Sequence, residues 1–304
     1  MAKITFYRGD GSAAMTGHLL LSYLGAPYSS VHMVPMVLSG MDQSKAANTG
    51  GYEAVDGTLP HEEYLKINPT GFVPALKIEE EGRTTVITEV PAVVTYLASL
   101  ADTVPHATAS GGPGPNYLLG RSALERAKVY EWLGSKNNYA KQTTSRQPLV
   151  HLGALEGAAP EQVTTAGTSV ITVVRPSSSI LRAGTLHGIA LVEISRPYRL
   201  VGEGEAAAAA ALKKKGMEIL EECYARVEQR IRDGDLGIGG GKDGYFTAVD
   251  FNLYVFWRIG ALRLGTISGE SHPHYAALMR KVEALEATRR VLEVEGNAAL
   301  SFKP

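Results

Sequence analysis

Residues 68–96, NPTGFVPALKIEEEGRTTVITEVPAVVTY, contain the pattern that decides the fold. Val73 and Pro74 precede an alternating segment, and proline cannot donate to a sheet ladder. We therefore expect Pro74 at the first residue of a strand or at an edge, where a cis X-Pro bond is plausible. The following residues, 75–87, predict a β-hairpin that turns at 81–82.

An acid and a proline close the same segment. Glu89 and Val90 precede Pro91, and this order predicts the beginning of a helix, because the missing N–H of proline costs nothing in the first turn. The strand edge and the helix N-terminus would together present free backbone groups. Such a surface suits an anionic ligand with peptide character.

Length and composition restrict the class of protein. The chain has 304 residues, which favours two domains. Its 44% hydrophobic and 20% charged residues are typical of folded domains with a sizeable core. The net charge of −1 offers no electrostatic footprint for nucleic acid or for an acidic membrane surface.

The cysteine content and the N-terminus predict a cellular compartment. The single cysteine, Cys223, excludes an internal disulfide framework and fits a reducing environment. The first residues, MAKITFYRGDG, lack the apolar core of a signal peptide, and no segment approaches the roughly 18 apolar residues of a membrane span. We therefore expect a cytoplasmic protein that binds neither nucleic acid nor membrane.

Residues 1–102 predict a small mixed sheet with helices on its faces. The order is βαβ, a long mobile loop, then ββα. The elements expected around the hairpin are strands at 3–7 and 28–37, helices at 12–24 and 91–100, a mobile loop at 39–59 and one helical turn at 62–67.

The pattern changes beyond the hairpin domain. Residues 103–116 have the composition of a linker, and 117–304 predict an all-α domain. Its expected helices are 117–133, 203–231, 249–262, 273–285 and 286–296. Thr247 and Asp250 precede one of them in a Thr-x-x-Asp pattern, which predicts a capping box and a structural role for Asp250.

Residues 134–183 do not fit the helical pattern. They are rich in Thr, Ser, Val, Gly and Pro, and unstructured loops of this length are uncommon inside compact domains. The segment is either a variable surface insertion, in part disordered, or non-native coding such as a retained intron. A transcript that always includes the segment would exclude the intron.

Two segments of the hairpin domain resemble the glutathione S-transferase superfamily. NPTGFVPAL (68–76) is similar to the family's loop into its third strand, with Pro74 as the cis-proline. ITEVPAVVTYL (87–97) is similar to the segment in which an acid and its neighbour hold the γ-glutamyl end of glutathione.

Four further segments extend the resemblance over nearly the whole chain. ALERAKVYEWL (123–133) and RPYRLVGEG (196–204) resemble helices four and five of fungal and bacterial members. YFTAVDFNLYVFW (245–257) is similar to the entry into helix six, and HPHYAALMRKVEALEATRRVLEVEG (272–296) is similar to the closing helices. Only about 39–59 and 134–183 lie outside the resemblance.

The resemblance implies a fold and a function. The fold would be an α+β thioredoxin-like N-terminal domain followed by an all-α helical-bundle C-terminal domain, usually in a homodimer. Glutathione would be the cosubstrate, and its thiolate would add to a small hydrophobic electrophile. The fungal-like helices four and five agree with a role in natural-product biosynthesis. A glutathione-dependent cis-trans isomerase and a noncatalytic protein-interaction module stay open as alternatives.

The resemblance also implies contacts to glutathione. The backbone of Val73 would pair with the cysteinyl part beside cis Pro74, although a plain strand start is the structural alternative. Glu89 would accept from the ligand's ammonium group, and the N–H of Val90 would bind its carboxylate. Glu89 could instead be an ordinary first-turn acid.

The chain departs from the family at one of these contacts. Most members have serine after the acid, so Val90 removes a hydroxyl donor and leaves only the amide. The glycyl carboxylate needs a cation from the loop before Tyr64. Lys45 and His61 are the candidates, with a solvated Lys45 as the alternative.

Two hydroxyl groups are candidate activators of the glutathione thiol, because a donor aimed at sulfur lowers its pKa. Ser12 lies at the start of the first helix, as in serine-type members, and Tyr7 ends the first strand, as in tyrosine-type members. Ser12 is preferred because the helix dipole assists it; alternatively, Ser12 is a helix cap and Tyr7 a core aromatic. The bacterial-type catalytic cysteine would correspond to Ala13, which argues against cysteine chemistry.

The second substrate would lie over the sulfur, against the helical domain. The candidate lining residues are Tyr130, Trp132, His187 and Trp257. His187 could act as an acid or a base, or could simply pack. The remaining histidines lack metal-ligand spacing, so no metal is expected.

Overall fold

The computed structural model describes residues 2–35, 51–101, 117–134, 161–164, 170–173, 206–240, 245–297 and 301–302. The chain divides into two units, one formed by 1–133 with 225–304 and the other by 134–224. The predicted linker at 103–116 lies outside the described residues. Within the ranges given, the helices are too short or too polar to cross a bilayer.

A five-stranded sheet forms the N-terminal part, in the order β3-β2-β1-β4-β5. The strands are β1 (Lys3–Arg8), β2 (Ser29–Pro35), β3 (Tyr52–Ala54), β4 (Ala75–Glu80) and β5 (Arg83–Thr88). β1 runs parallel to β2 and antiparallel to β4, and the other neighbouring pairs are antiparallel. The accompanying helices are α1 (Met15–Leu24), α2 (His61–Ile67) and α3 (Val90–Leu100). This arrangement confirms the predicted thioredoxin-like domain.

Alternation along β1 places helices on both faces of the sheet. A Cβ on Gly17 of α1 would lie 3.1 Å from the Phe6 ring and 3.2 Å from Val93 of α3. The next side chain, Tyr7, points to the other face, where its ring centroid is 5.4 Å from that of Tyr64 on α2. The sheet is therefore covered by α1 and α3 on one face and by α2 on the other.

The hairpin forms as predicted. Glu81 and Gly82 join β4 to β5 with φ angles of 51° and 76°, the left-handed conformation that two-residue hairpin turns favour. The short strand β3, by contrast, contradicts the expected loop at 39–59. Its three residues pair with β2 and are too few to show a periodic pattern. Residues 36–50 of that loop lie outside the described residues.

The C-terminal part is helical. Its helices are α4 (Ala123–Gly134), α5 (Ala206–Arg232), α6 (Ala248–Arg258), α7 (Pro273–Ala284) and α8 (Glu286–Val294), and α6 continues as a π-helix over Ile259–Leu264. These bounds confirm the predicted helices, although α4 begins six residues later than the pattern indicates.

The segment 134–183 contains a structure that the sequence does not predict. The strands β6 (Glu161–Thr164) and β7 (Val170–Val173) form an antiparallel pair. The C-terminal part is therefore not purely helical. The remainder of this segment lies outside the described residues, and the choice between insertion and intron stays a prediction.

Helix α1 connects the sheet to the C-terminal helices. Asn252 Nδ2 of α6 donates to Thr16 Oγ1 at 3.2 Å, and Ser22 Oγ donates to the Ala287 carbonyl of α8 at 3.0 Å. Every residue of α6 is buried. The loop that leads into α1 is therefore attached to a helix that is hydrogen-bonded to the C-terminal helices of this unit.

Candidate functional site

The sheet register brings three segments together at one end of the sheet. Ala75 pairs with Tyr7 on one side and with the last residue of β5 on the other. Gly9 lies two residues beyond Tyr7 and Val73 lies two residues before Ala75, so these antiparallel neighbours end close together, and Val90 begins α3 just after the end of β5. The β1–α1 loop and the Val73–Pro74 segment therefore meet, and the beginning of α3 follows at the same end of the sheet.

Gly9 marks the centre of this meeting point. A Cβ on Gly9 would lie 2.9 Å from Val73 Cγ2, 3.3 Å from Ser12 Oγ and 3.7 Å from Tyr52 Cε1. The structure thus brings together Ser12 and Val73, both predicted site residues. It adds Tyr52, which the sequence does not single out because it lies beside the expected mobile loop. We call Gly9, Ser12, Tyr52 and Val73 the Gly9 cluster.

The close approach at Gly9 predicts the effect of one methyl group. Gly9→Ala should lower the free energy of unfolding by roughly 1–3 kcal/mol, because the methyl must displace Val73 or Ser12 and overpacking carries a cost of this size. Urea unfolding monitored by circular dichroism measures the change. Gly269→Ala is the matched control, since its Cβ would meet its nearest neighbour, the Arg280 side chain, at 3.4 Å. Equal unfolding midpoints for both variants would contradict this packing.

The segment that leads to Val73 is held by side chains while Val73 itself stays available. The Phe72 carbonyl accepts from Tyr64 Oη and from Asn68 Nδ2, each at 2.7 Å. The Val73–Pro74 bond is cis, which confirms the prediction. Across the described residues, no hydrogen bond uses the N–H or the carbonyl of Val73. Its backbone can therefore pair with an extended ligand.

Glu89 adopts a backbone conformation that a non-glycine residue rarely takes. Its φ is 73° and its ψ is 131°, and it directly precedes α3. Such strain is found preferentially at ligand-binding positions. In the described part of the chain, the Glu89 carboxylate takes part in no hydrogen bond or ion pair, and no side chain caps α3. An acceptor and the N–H of Val90 are therefore both available at this helix end.

The two candidate hydroxyl groups have different surroundings. Ser12 is half-buried; its Oγ donates to the Gly9 carbonyl at 2.6 Å and accepts from the Ala14 N–H at 3.2 Å. Tyr7 is only 5% exposed and packs with Tyr64 in a core cluster. Burial raises the pKa of the Tyr7 phenol, which makes it a poorer stabiliser of an anion. Ser12 is therefore the better placed donor.

The predicted cation site is described only in part. His61 lies at the beginning of α2, with Nδ1 3.1 Å from the Tyr52 carbonyl. A carbonyl only accepts, so this nitrogen carries a proton, and Nε2 donates to a ligand carboxylate only when the ring is charged. Lys45 lies outside the described residues.

The helical candidates do not join the Gly9 cluster. Trp132 is 5% exposed; its Nε1 donates to Asp235 at 3.2 Å, and the Arg230 guanidinium lies 3.8 Å from its ring centroid. Tyr130 is 41% exposed on α4. His187 lies outside the described residues.

Trp257 is a core residue. It is 1% exposed, and its ring centroid lies 5.0 Å from that of Tyr275 and 5.4 Å from that of Phe302. The expectation that Trp132 and Trp257 line a substrate pocket is therefore corrected, because the protein's own side chains cover both rings.

A buried carboxylate that the sequence does not single out contacts the β1–α1 loop. Glu295 Oε2 accepts from the Gly11 N–H at 3.0 Å, and Oε1 lies 2.7 Å from His18 Nδ1. Because 284 positions separate Glu295 from Gly11, no local pattern could indicate the contact. Among the residues that the structure describes, no group of three or more His, Cys, Asp or Glu side chains could hold a metal ion.

Known proteins resemble this chain in sequence over the N-terminal part and in fold over most of its length. Residues 12–100 match the sequence model of a family described as glutathione S-transferase, N-terminal domain. The chain has the glutathione S-transferase fold. A search of curated proteins finds no match.

Solved structures share this fold over most of the chain. A glutathione S-transferase from Xylella fastidiosa is 16% identical, with a TM-score of 0.57 and coverage of 96% of this chain and 98% of that one. A Sulfitobacter glutathione transferase homolog with bound glutathione is 18% identical, with a TM-score of 0.57 and coverage of 97% and 99%. A sphingomonad glutathione S-transferase complexed with glutathione is 17% identical, with a TM-score of 0.53 and coverage of 96% and 98%.

Proposed function

We propose that the protein binds glutathione and transfers its thiolate to a small hydrophobic electrophile. The observation that carries this proposal is the Gly9 cluster, where the Ser12 hydroxyl and the Val73 side chain both lie against Gly9 and the Val73 backbone has no hydrogen-bond partner in the described residues. The match of residues 12–100 to the family's N-terminal domain supports it. So do the Sulfitobacter and sphingomonad proteins, which hold glutathione on the same fold.

The available backbone and side-chain groups suit the three parts of glutathione. The Val73 backbone would pair with the cysteinyl amide as an added strand does. The Glu89 carboxylate would accept from the γ-glutamyl ammonium group, and the Val90 N–H would donate to the neighbouring carboxylate. A charged His61 would donate Nε2–H to the glycyl carboxylate. Each contact uses a group without a competing partner in the described part of the chain.

The Ser12 hydroxyl would activate the glutathione thiol. Its hydroxyl, which now donates to the Gly9 carbonyl, would turn to donate to the ligand's sulfur and stabilise the thiolate after the S–H proton leaves to water. The sulfur then attacks an electrophilic carbon and forms the C–S bond. A leaving group departs with the bonding electrons, or the adjacent carbon takes up a proton if the substrate is an alkene. Stabilisation of the thiolate and proximity supply the rate.

The products formed with glutathione test the proposal. The purified full-length protein is incubated with glutathione and a panel of aryl halides, epoxides and conjugated alkenes, and the products are separated by mass. A glutathione adduct supports transfer. An isomerised alkene without adduct would indicate the isomerase. A protein that is not retained on glutathione resin and forms neither product would be a noncatalytic module.

The proposed contact between Glu89 and the γ-glutamyl ammonium group can be tested by mutation. Glu89→Gln should raise the KM for glutathione about tenfold, because a hydrogen bond to a charged group contributes roughly 1.5–3 kcal/mol. kcat at saturating glutathione should change little, because the contact is remote from sulfur. Glu81→Gln is the control, since Glu81 also has a positive φ, of 51°, but lies exposed in the hairpin turn. A KM that is unchanged in Glu89→Gln would remove Glu89 from the binding site.

A further inference from the structure

The carboxylate of Glu295 joins the β1–α1 loop to α1. Its side chain and that of His18 are both 0% exposed. Oε2 accepts from the Gly11 backbone at 3.0 Å, and Oε1 lies 2.7 Å from His18 Nδ1. One side chain therefore fixes the residue before Ser12 and the helix that follows it.

The surroundings of His18 identify the donor in this contact. His18 Nε2 is buried, and no group in the described part of the chain bonds to it. A proton there would be an unsatisfied donor, which costs more than an unused lone pair. The proton therefore lies on Nδ1, and the Glu295 carboxylate accepts from both His18 and Gly11.

The cost of burying this carboxylate indicates that it has a role beyond packing. A buried charge is expensive unless it is paired and hydrogen-bonded, and a hydrophobic side chain of similar volume often serves stability equally well. Arg8, which is also buried and forms an ion pair with Asp10, supplies a positive charge near Glu295. An apolar side chain at this position could not accept from Gly11 or His18, so the carboxylate contributes two specific contacts as well as packing.

The backbone that carries Glu295 is itself anchored. The Glu295 N–H donates to the Val291 carbonyl at 2.9 Å, and the Asn297 N–H donates to the Leu292 carbonyl at 2.8 Å. Arg258 of α6 donates to the Asn297 carbonyl at 3.0 Å. The carboxylate is therefore presented from a rigid point at the end of α8.

The loop has few other long-range attachments. Within the described residues the hydrogen bonds of Ser12 are all local, because they join it to Gly9, Ala14 and Met15. Across the described ranges, the other polar contact from residues 9–14 to a distant element is the ion pair of Asp10 with His32, at 3.3 Å. Removal of Glu295 would therefore leave the Gly11 N–H without its acceptor, and in the described part of the chain the loop would keep its local hydrogen bonds and the Asp10–His32 contact.

We infer that Glu295 is a positioning residue, which holds the Gly11 backbone so that the Ser12 hydroxyl is directed at the sulfur of glutathione. Glu295 acts through Gly11 and touches no substrate atom. The role depends on the proposed function, because it is defined by where Ser12 points.

Three variants separate this role from a purely structural one. Glu295→Ala removes both contacts, whereas Glu295→Gln keeps an acceptor for the Gly11 N–H and removes the charge. Glu283→Ala is the matched control. The side-chain carboxylate of Glu283 on α7 is also buried, accepts from the Ser301 and Phe302 backbones at 2.9 and 3.0 Å, and makes no contact with the loop. The readouts are kcat and KM for glutathione, the thiolate absorbance of bound glutathione, and hydrogen exchange of the Gly11 and Ser12 amides.

The expected pattern distinguishes the variants. Glu295→Ala should lower kcat about tenfold with little change in KM, because small misplacement of a reacting group is costly. It should also reduce the bound thiolate and accelerate exchange at Gly11. Glu295→Gln should restore most of these properties. Glu283→Ala should lower the melting temperature and leave thiolate absorbance and Gly11 exchange as in the wild type.

Two results would overturn the role of Glu295. Unchanged Gly11 exchange and unchanged thiolate absorbance in Glu295→Ala would overturn it alone, provided that the wild type binds glutathione. Absence of glutathione binding by the wild type would overturn the proposed function together with it. If Glu295→Ala does not fold, Glu295→Gln decides: a thiolate signal as low as that of Ser12→Ala would contradict the positioning role.

Discussion

Asp250→Ala is expected to lower the free energy of unfolding by about 3 kcal/mol or more. The carboxylate is fully buried and accepts from the backbones of Thr247 at 2.6 Å, Gly239 at 3.0 Å and Gly240 at 3.3 Å. Alanine leaves these donors without a partner, and each unsatisfied buried donor costs roughly 1–3 kcal/mol. Urea unfolding monitored by circular dichroism measures the change as a lower midpoint at an unchanged slope.

The controls for this prediction use the chemistry of the same site. Burial raises the pKa of Asp250 to about 6, so the group is ionised at pH 7 and accepts from all its partners. Asp250→Asn keeps one oxygen and should fall between alanine and the wild type. Asp233→Ala is the surface control, because among the described residues the Asp233 carboxylate pairs with exposed Arg232 alone, and a change within about 0.5 kcal/mol is expected. A midpoint for Asp250→Ala equal to that of Asp233→Ala would show that the backbone donors find other partners.

Ser12→Ala should reduce kcat/KM for glutathione conjugation about 100-fold, the loss typical for one donor to a developing anion. The effect should appear in kcat, because the hydroxyl acts on sulfur and not on the ends of glutathione. Tyr7→Phe should retain nearly full activity. Its phenol is buried with Tyr64, and burial raises its pKa.

Thiolate absorbance at pH 7 gives an independent measure of this assignment. Bound glutathione should show the thiolate signal in the wild type and in Tyr7→Phe, and should lose most of it in Ser12→Ala. Calorimetric binding confirms that each variant still holds the ligand. The reverse pattern would assign the activating hydroxyl to Tyr7, and full activity in both variants would exclude both residues.

The parts of the fold that the sequence predicts are those with strong local signals. The turn at Glu81 and Gly82 and the proline after Val90 each impose a backbone conformation on their neighbours. The hairpin and α3 therefore follow from the residues alone. Strand β3 does not, because three residues beside a Gly-rich segment form a strand only when β2 is present to pair with them.

The candidate site is predictable to a similar extent. Val73, Glu89 and Ser12 are marked by the residues beside them, and the close approach at Gly9 brings Ser12 and Val73 together. Tyr52 and Glu295 carry no such mark, because tertiary contacts alone bring them to the loop. The sequence also does not show whether an aromatic residue lines a cavity or fills a core. Trp257 belongs to the core because its ring packs against those of Tyr275 and Phe302.

The hydrogen bond between Gly11 and Glu295 spans 284 positions of sequence. During synthesis the strands and helices of residues 3–100 emerge first, and N-terminal domains generally fold before the rest of a chain. The attachment of the β1–α1 loop, however, must wait until α8 has left the ribosome. A chain interrupted before residue 295 would carry the sheet and the Gly9 cluster without this attachment. This attachment is thus acquired only by a chain that has been translated beyond α8 to Glu295.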